Sequence, residues 1–337
     1  MKWMKILIRV PNWIGDAVLS LPAIKSLKQN FPDSEIWVAA TEWVKDLFFV
    51  SDDSPKVIPI PSLKDARTFR AFSRELREKD FDVGVLLTNS FSSALLFYLA
   101  RIPNRWGYRR DGRRVLLTKS VLLKEPDDSV HQLNYYLNLL AGLGLKISSP
   151  EIGLKLTAEE KGEARQIVLS AGLDPARPLI IFDPGASYGP AKRWPAPSFA
   201  ALGNMLQASP DAQVLLIGSS DEDAIARKIA AEMEKKPASF VGKTTLRQLV
   251  SLISLASLFV TNDTGPMHLA NALRVPVVAI FGPTDPSRTG PFFQPARVLR
   301  KEVPCWPCFY RKCPYDHRCM TAITPRGVFE VCQEFLG

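Results

Sequence analysis

Short apolar runs rich in Val, Ile and Leu alternate with helix-like segments, and this alternation occurs twice along the chain. Such a pattern is typical of parallel sheets whose strands are joined by crossover helices. At 337 residues the chain also exceeds the size at which a single core usually keeps growing. We therefore predict an α/β protein with two open sheets, each in its own domain.

The alternation also gives the positions of the elements. In the first half it predicts strands at Lys5–Val10, Glu35–Ala40, Lys56–Ile60 and Asp82–Leu87, and helices at Gly15–Asn30, Ala66–Glu78, Ser90–Arg101 and His131–Gly142. In the second half it predicts strands at Pro178–Asp183, Gln213–Gly218, Leu258–Asn262 and Pro276–Phe281, and helices at Pro197–Gln207, Asp221–Lys235, Leu246–Ala256 and Pro266–Leu273.

The domain boundary follows from one helix between the two halves. Capping-box spacing begins that helix at Thr157, and Gly172 ends it ahead of a polar bridge. We place the boundary there, which gives an N-terminal domain of residues 1–172 and a C-terminal domain of residues 173–337. Ligands of such folds bind outside the carboxyl ends of the strands, so we expect the active site in a cleft between the two sheets.

Hydrophobic residues make up 46% of the chain and charged residues 23%, as in ordinary soluble globular proteins. The apolar run Ile6–Val10 is too short for a signal-peptide core. The longest uncharged stretch, Val83–Ala100, is interrupted by polar residues and is better explained as strand, turn and helix than as a membrane span. We expect a cytoplasmic protein.

The net charge of +9 is concentrated in one segment, Arg101–Lys124, which holds eight basic residues against the single acid Asp111. Such a patch indicates an anionic partner, either a phosphorylated substrate, a membrane surface or a nucleic acid, unless it is simply a solvated loop. Basic and aromatic residues are not interleaved at a recognised nucleic-acid motif, so we do not expect nucleic acid as a partner.

The junction Val260–Leu273 joins a predicted strand to a helix through small and turn-forming residues. Unpaired backbone amides and the positive end of the helix dipole make such a junction an anion site, and Gly265 permits close backbone approach. Thr264 and His268 add side-chain donors. The alternative is that Asp263 or Thr264 only caps the helix.

A second loop, Asp183–Trp194, also follows a predicted strand and precedes a helix. Its basic end offers Lys192 or Arg193 to a diphosphate, while Ser187 and Tyr188 offer hydroxyl donors. The sequence therefore places a second group of anion-binding residues at a strand end.

Two further strand ends carry acids. In Gly218–Glu222 an acid is suited to holding ribose hydroxyls, or alternatively to capping the next helix. In Val10–Asp16 the loop ends in Asp16, whose carboxylate is suited to accepting the proton of an attacking hydroxyl, as a general base does. Here too the alternative is a helix N-cap.

All five cysteines lie between Cys305 and Cys332, and the first four have the spacing CxxCx4Cx5C. Two interpretations stay open: a reduced, metal-free loop, or a structural zinc site. The candidate zinc ligands are Cys305, Cys308, Cys313 and either Cys319 or His317. The other candidate histidine, His131, is expected to cap or pack a helix.

Three ordered stretches, RVPNWIGDAVLSLPAIKSL, PGASYGPAKRWPAPSFAAL and TNDTGPMHLANALRVPVVAIFGPTDP, resemble the ADP-heptose:lipopolysaccharide heptosyltransferases, especially the heptosyltransferase II group. The resemblance covers essentially the whole chain. The stretch CWPCFYRKCPYDHRCM resembles a C-terminal segment found in part of that group.

The resemblance implies a GT-B architecture, with two facing Rossmann-like domains, parallel sheets and an interdomain cleft. It implies that Asp16 is the catalytic base and that Lys192 binds the diphosphate. The donor-binding set is then Ser187, Tyr188, Lys192, Asp263, Thr264, Gly265, Pro266, Met267 and His268. We also expect acceptor-binding residues in the N-terminal half, namely Asn12, Trp13, Arg105, Arg109, Arg110 and Arg113; the four arginines are chosen for their charge alone.

The resemblance further implies inverting transfer of heptose from ADP-heptose to the heptosyl-Kdo-lipid A inner core of lipopolysaccharide, with no metal cofactor required. From its charge alone, we expect the basic segment to contact a phosphorylated acceptor or the cytoplasmic face of the anionic inner membrane. Alternatives are a heptosyltransferase I or III, another GT-B sugar transferase with a different acceptor, or a nonenzymatic anion or nucleic-acid binder.

Overall fold

The computed structural model describes residues 4–48, 54–123, 130–208 and 212–336. The chain divides into two compact units, residues 1–155 and 156–337. Across the described ranges, every helix is too short or too polar to span a lipid bilayer.

Unit 1 is built on a six-stranded parallel sheet. Its strands are β1 (Lys5–Arg9), β2 (Glu35–Thr41), β3 (Lys56–Ile60), β4 (Val83–Leu86), β5 (Asn104–Tyr108) and β6 (Lys119–Val121), in the order β3-β2-β1-β4-β5-β6. Its helices are α1 (Ile14–Asn30), α2 (Ala66–Glu78), α3 (Phe91–Leu99) and α4 (Gln132–Gly142). The strand order reverses between β1 and β4, which is where doubly wound sheets bind ligands.

Unit 2 repeats this order on a second parallel sheet. Its strands are β7 (Leu179–Asp183), β8 (Gln213–Leu216), β9 (Ala238–Ser239), β10 (Leu258–Asn262), β11 (Val277–Phe281) and β12 (Ala296–Arg300), in the order β12-β11-β10-β7-β8-β9. Its helices are α5 (Ala158–Ser170), α6 (Ala196–Gln207), α7 (Asp223–Glu232), α8 (Leu246–Ile253), α9 (Gly265–Ala272), α10 (Pro286–Thr289), α11 (Arg318–Thr321) and α12 (Pro325–Leu336). Here the order reverses between β7 and β10.

The predicted inner strands are confirmed. They are buried on both faces, which is why their sequences are continuous apolar runs. β7, β10 and β11 are buried at every position. Four strands, β5, β6, β9 and β12, were not predicted, although the edge strand β3 was. β6 and β12 expose much of their surface, β9 has only two residues, and β5 begins with polar residues, so these strands lack the apolar run on which the prediction depended.

The helix predicted at Thr157 forms with the expected capping box between Thr157 and Glu160. Gly172 follows it with a left-handed φ of +74°, as a helix stop requires. The boundary between the units nevertheless falls before this helix rather than after residue 172. The reason is that α5 packs on α8, and Arg247 of α8 forms an ion pair with Glu160 at 2.7 Å.

Candidate functional site

Lys192 and Asp263 form a buried ion pair at the carboxyl ends of β7 and β10, the neighbouring strands at the reversal of sheet 2. Lys192 Nζ lies 2.5 Å from Asp263 Oδ2, and the two side chains are 12% and 5% exposed. The hydroxyl of Thr284, which follows β11, donates to the same carboxylate oxygen at 2.7 Å. The buried carboxylate is therefore both neutralised and hydrogen-bonded, as burial of a charge requires.

The helix α9 has no side-chain cap. Its N-cap residue is Thr264, whose side chain makes no capping hydrogen bond. The Thr264 hydroxyl instead donates to Asp183 Oδ2 at 2.5 Å, and Asp263 is held by Lys192. The capping alternative for Asp263 and Thr264 is therefore wrong, and the first backbone amides of α9 keep the arrangement that an anion site uses.

The remaining residues of the predicted donor turn differ in exposure. Gly265 and Pro266 are half-buried at the start of α9. Met267 is fully buried and His268 is 6% exposed, so the side chain of Met267 serves packing. The part of the turn that keeps some solvent exposure is thus Thr264–Pro266.

Asp183, the last residue of β7, was not predicted as a site residue. It is 2% exposed and accepts hydrogen bonds from Thr264 and, at 3.2 Å, from Thr261. Burial, and secondarily the charge of Glu222, raises the pKa of Asp183 to about 7, against the opposing effect of the two threonine hydroxyls. The available signal was an acid closing the otherwise apolar strand LIIFD.

Asn262, the last residue of β10, was also missed as a site residue. Its Nδ2 donates to the carbonyl oxygens of Pro184 and Gly185 at 2.9 and 3.0 Å, and its Oδ1 accepts from the backbone N–H of Trp194 at 3.0 Å. One buried amide thus holds both ends of the loop that carries Lys192. The sequence feature that could have identified it is a polar residue at the end of an otherwise apolar, buried strand.

The other side chains of that loop differ in exposure and in the residues that they contact. Ser187 is exposed. Tyr188 donates its hydroxyl to the carbonyl oxygen of Phe309 at 2.6 Å, while Lys192 Nζ lies 4.7 Å from the centre of its ring. Arg193 donates to the carbonyl oxygen of Ala186 at 3.4 Å, within the loop, while Lys192 pairs with Asp263.

Glu222 acts as the capping acid in the turn after β8. Its carboxylate accepts from the backbone N–H and the hydroxyl of Ser219 at 2.7 and 2.9 Å, completing a capping box. A Cβ at Gly185 would lie 1.9 Å from Glu222 Oε1, so this carboxylate packs directly against the Lys192 loop. The capping interpretation of this turn is confirmed.

Asp16 lies in the first turn of α1, and the N-cap position is occupied by Trp13, whose side chain makes no capping bond. The alternative that Asp16 is the N-cap is therefore wrong. Tyr136 of α4 donates its hydroxyl to Asp16 Oδ1 at 3.3 Å. Burial first, and the neighbouring Asp16 carboxylate second, raises the pKa of Tyr136, so the phenol stays a hydrogen-bond donor.

The loop leading to Asp16 is held by a buried arginine. Arg9, 7% exposed, donates to Asn12 Oδ1 at 2.5 Å and to the carbonyl oxygen of Val10, and burial lowers its pKa to about 10. The indole N–H of Trp43 donates to the carbonyl oxygen of Asn12 at 2.6 Å. Trp13 and Trp43 are 58% and 60% exposed, which leaves two aromatic faces open beside this loop.

The predicted acceptor arginines occupy different environments. Arg113 is fully buried and donates to the carbonyl oxygens of Tyr108 and Thr88; burial lowers its pKa to about 10. Arg105 is half-buried and donates to the carbonyl oxygen of Leu116 at 2.6 Å. Arg109 is exposed and Arg110 half-buried. Lys124, at the end of the basic segment, lies outside the described residues.

The cysteine-rich segment does not fit a zinc site. Cys305 is exposed, Cys308 and Cys313 are half-buried and Cys319 is buried. Within the described ranges, no three His, Cys, Asp or Glu side chains are placed to hold a metal ion. The Nε2 atom of His317 is hydrogen-bonded to the carbonyl oxygen of Ala191 at 2.7 Å, and burial raises the pKa of the Cys319 thiol to about 11. The zinc interpretation is therefore not supported by the arrangement of these side chains.

One other histidine and the last cysteine have structural roles. His131 is the N-cap of α4 and accepts from the backbone N–H of Leu133 at 3.2 Å, as expected. Cys332 of α12 is fully buried in the core of unit 2, where burial raises its pKa to about 12.

Comparison with known proteins identifies the family. The model of glycosyltransferase family 9 (heptosyltransferase) matches residues 69–318. Lipopolysaccharide heptosyltransferase 2 of Salmonella typhimurium is 34% identical over 308 residues, which cover 88% of each chain. The solved E. coli ADP-heptose lps heptosyltransferase II is 32% identical, with a TM-score of 0.84 over 99% of this chain and 98% of that one.

A more distant structure, E. coli heptosyltransferase WaaC with ADP, shares the fold at 19% identity, with a TM-score of 0.75 over 98% of this chain and 99% of that one. The two Rossmann-like units confirm the predicted α/β fold of the GT-B class. The matched residues 69–318 include the strand ends at which the paired residues Lys192 and Asp263 lie. The chain therefore belongs to glycosyltransferase family 9, the heptosyltransferases.

Proposed function

We propose that this chain is an inverting glycosyltransferase that moves heptose from ADP-heptose to the heptosyl-Kdo-lipid A inner core of lipopolysaccharide. The observation that carries the proposal is the uncapped start of α9 beside Lys192, at the reversal point of the sheet in unit 2. The heptosyltransferase 2 relatives support heptose as the transferred sugar.

The donor site is proposed at the Lys192 loop and the turn Asp263–His268. A diphosphate is an anion with several acceptor oxygens, and the backbone amides of a helix start together with a lysine match it. ADP in the WaaC structure supports a nucleoside diphosphate as the donor's leaving group. Ser187, exposed at the tip of the loop, supplies a further hydroxyl.

For the chemical step we propose that Asp16 takes the proton from an acceptor heptose hydroxyl. The hydroxyl oxygen forms a bond to the anomeric carbon of ADP-heptose as the bond to the diphosphate oxygen breaks, so the configuration inverts. Negative charge then collects on the departing ADP, where Lys192 and the amides of α9 stabilise it without a metal ion. The Tyr136 hydroxyl orients the Asp16 carboxylate for this transfer.

The acceptor is proposed to bind unit 1 around Asn12 and Trp13. Exposed indole faces such as those of Trp13 and Trp43 suit the apolar face of a sugar ring. Arg109 is the exposed member of the predicted acceptor arginines and is proposed to contact phosphates, either of the inner core or of the inner leaflet of the membrane. Peripheral attachment to the cytoplasmic face of that membrane rests on this charge.

The test is to incubate the protein with ADP-heptose and lipid A precursors that carry no heptose, one heptose or two. We expect mass spectrometry to show a gain of one heptose only on the precursor that already carries one. Transfer to the heptose-free precursor, or only to the precursor with two heptoses, would replace the proposal with a heptosyltransferase I or III. No transfer to any of them, with intact ADP binding, would indicate a different acceptor class.

A further inference from the structure

Arg311, in the cysteine-rich segment, lies beside the same aromatic ring as Lys192. The Arg311 guanidinium carbon is 5.2 Å from the centre of the Tyr188 ring, and Lys192 Nζ is 4.7 Å from it. Arg311 is exposed, and in the part of the chain that the structure describes it forms no ion pair with a carboxylate. Two cationic side chains are thus held next to one ring at the proposed donor site.

Lys192 and Arg311 differ in whether a carboxylate balances their positive charge. The charge of Lys192 is matched by Asp263 at 2.5 Å, so this pair alone presents little net charge to an incoming anion. A nucleoside diphosphate brings at least two negative charges. Of these two cations Arg311 is the one without a carboxylate partner among the described residues, and its planar fork fits phosphate oxygens better than an ammonium does.

The position of Arg311 is fixed by backbone contacts with the Lys192 loop. The backbone N–H of Ala191 donates to the carbonyl oxygen of Arg311 at 3.0 Å. Gly189 packs on the same peptide: a Cβ there would lie 2.3 Å from that carbonyl oxygen. The hydrogen bonds from Tyr188 to Phe309 and between His317 and Ala191 hold the segment on either side. The cysteine-rich segment therefore presents Arg311 at a defined place.

We propose that Arg311 is a second cationic residue for the diphosphate of the donor, and that the cysteine-rich segment serves to present it. This inference rests on the proposed nucleotide-sugar site but not on the identity of the sugar or the acceptor. Arg311 binds phosphate oxygens directly, whereas Phe309 and His317 act by positioning it. The segment thereby has a binding role that needs no metal.

The test compares the affinities for ADP and AMP by titration calorimetry in wild-type protein, Arg311→Ala, Arg311→Lys and the matched control Lys312→Ala. We expect Arg311→Ala to weaken ADP binding about tenfold, in line with loss of a charge-assisted hydrogen bond, and AMP binding by much less. Arg311→Lys should fall between, because it keeps the charge and loses the fork. Lys312→Ala, a neighbouring exposed cation, should bind ADP as wild type does.

Equal ADP affinity in wild type and Arg311→Ala, or an equal loss for ADP and AMP, would overturn the inference. If wild-type protein prefers UDP or GDP to ADP, the same comparison with that nucleotide and its monophosphate decides the role of Arg311, and only the ADP-heptose proposal fails. If wild-type protein binds no nucleoside diphosphate, both proposals fall. Unchanged thermal unfolding of Arg311→Ala is the check that the fold is intact.

Discussion

Lys192 Nζ lies 2.5 Å from the Asp263 carboxylate, so the lysine assigned to the leaving diphosphate is already paired before any ligand arrives. Asp263 is only 5% exposed, and Thr284 adds a hydrogen bond to the same oxygen. Removing one partner of a buried pair leaves the other charge uncompensated. Changes at Lys192 should therefore affect both stability and ligand binding, and the two effects can be separated.

Lys192→Ala should weaken ADP binding roughly ten- to a hundredfold and lower the free energy of unfolding by about 3 kcal/mol, since Asp263 loses its counter-charge. The double variant Lys192→Ala/Asp263→Asn should recover much of the stability but bind ADP more weakly than wild type, because Lys192 is still absent. Calorimetric titration and thermal unfolding measure the two quantities. Wild-type ADP affinity in the double variant would show that Lys192 does not bind the diphosphate.

Asp16→Asn should reduce transfer about a hundredfold or more, the usual contribution of a general base, while leaving ADP affinity unchanged. The amide oxygen can still accept the hydrogen bond from Tyr136, so we expect the fold to persist. The matched control is Asp33→Asn, an exposed acid of the same unit, which should keep full activity. Near-normal turnover in Asp16→Asn is incompatible with its assignment as the base.

Asp183→Asn should change how stability depends on pH. The pKa of Asp183 is about 7 in the folded protein, against 3.8 for an ordinary aspartate. Between these two values the folded state binds more protons than the unfolded state, so the contribution of Asp183 to stability is lost as pH rises toward 7. Above pH 7 the variant should therefore gain about 4 kcal/mol relative to wild type, compared with pH 4, because each unit of pKa shift corresponds to about 1.4 kcal/mol.

The measurement is the difference in Tm between Asp183→Asn and wild type across pH 4 to 8. Taking the difference removes the groups that titrate equally in both proteins. A difference that is constant over this range contradicts a raised pKa for Asp183.

Asn262→Ala should loosen both ends of the loop 184–194, because its amide makes three hydrogen bonds to them. Several buried backbone groups lose their partner, so we expect a loss of about 3 kcal/mol in stability. Trypsin should also cleave after Lys192 or Arg193 faster than in wild type. An unchanged cleavage rate would show that the loop is held by other contacts, such as those with Phe309 and Arg311.

Protein purified without a histidine tag and under reducing conditions should contain much less than one zinc per chain, and EDTA should leave its Tm unchanged. The reason is that the described Cys and His side chains are not placed as a group of metal ligands. Elemental analysis and thermal unfolding with and without EDTA make the check. One zinc per chain, together with a lower Tm in EDTA, would restore the zinc interpretation of the cysteine-rich segment.

The inner strands and the strand ends that carry Asp16, Lys192 and Asp263 could be predicted, because buried parallel strands are apolar throughout and the residues that follow them meet at one edge of a sheet. The side chains with which these residues form hydrogen bonds and ion pairs could not be predicted. The stretch TNDTGP fits a capped helix as well as an uncapped one, and only the contacts of Asp263 with Lys192 decide between them.

Asn262 and Asp183 show a second reason why the sequence does not predict the whole site. Each is a polar residue at the end of a buried strand, and its role depends on which loop or hydroxyl the fold brings against it. Arg113 is the reverse case: its basic neighbourhood suggested a surface contact, while the fold buries it against backbone carbonyl oxygens. Charge in a sequence predicts a solvent-facing group only where the local packing leaves it outside.

The amide of Asn262 has a consequence for the energetics of donor binding. Because the ends of the Lys192 loop are fixed when the chain folds, the loop is preorganised, and its conformational entropy is not lost again at the encounter with the ligand. Few contacts then suffice for a given affinity for the donor, and loop closure does not limit the rate of association.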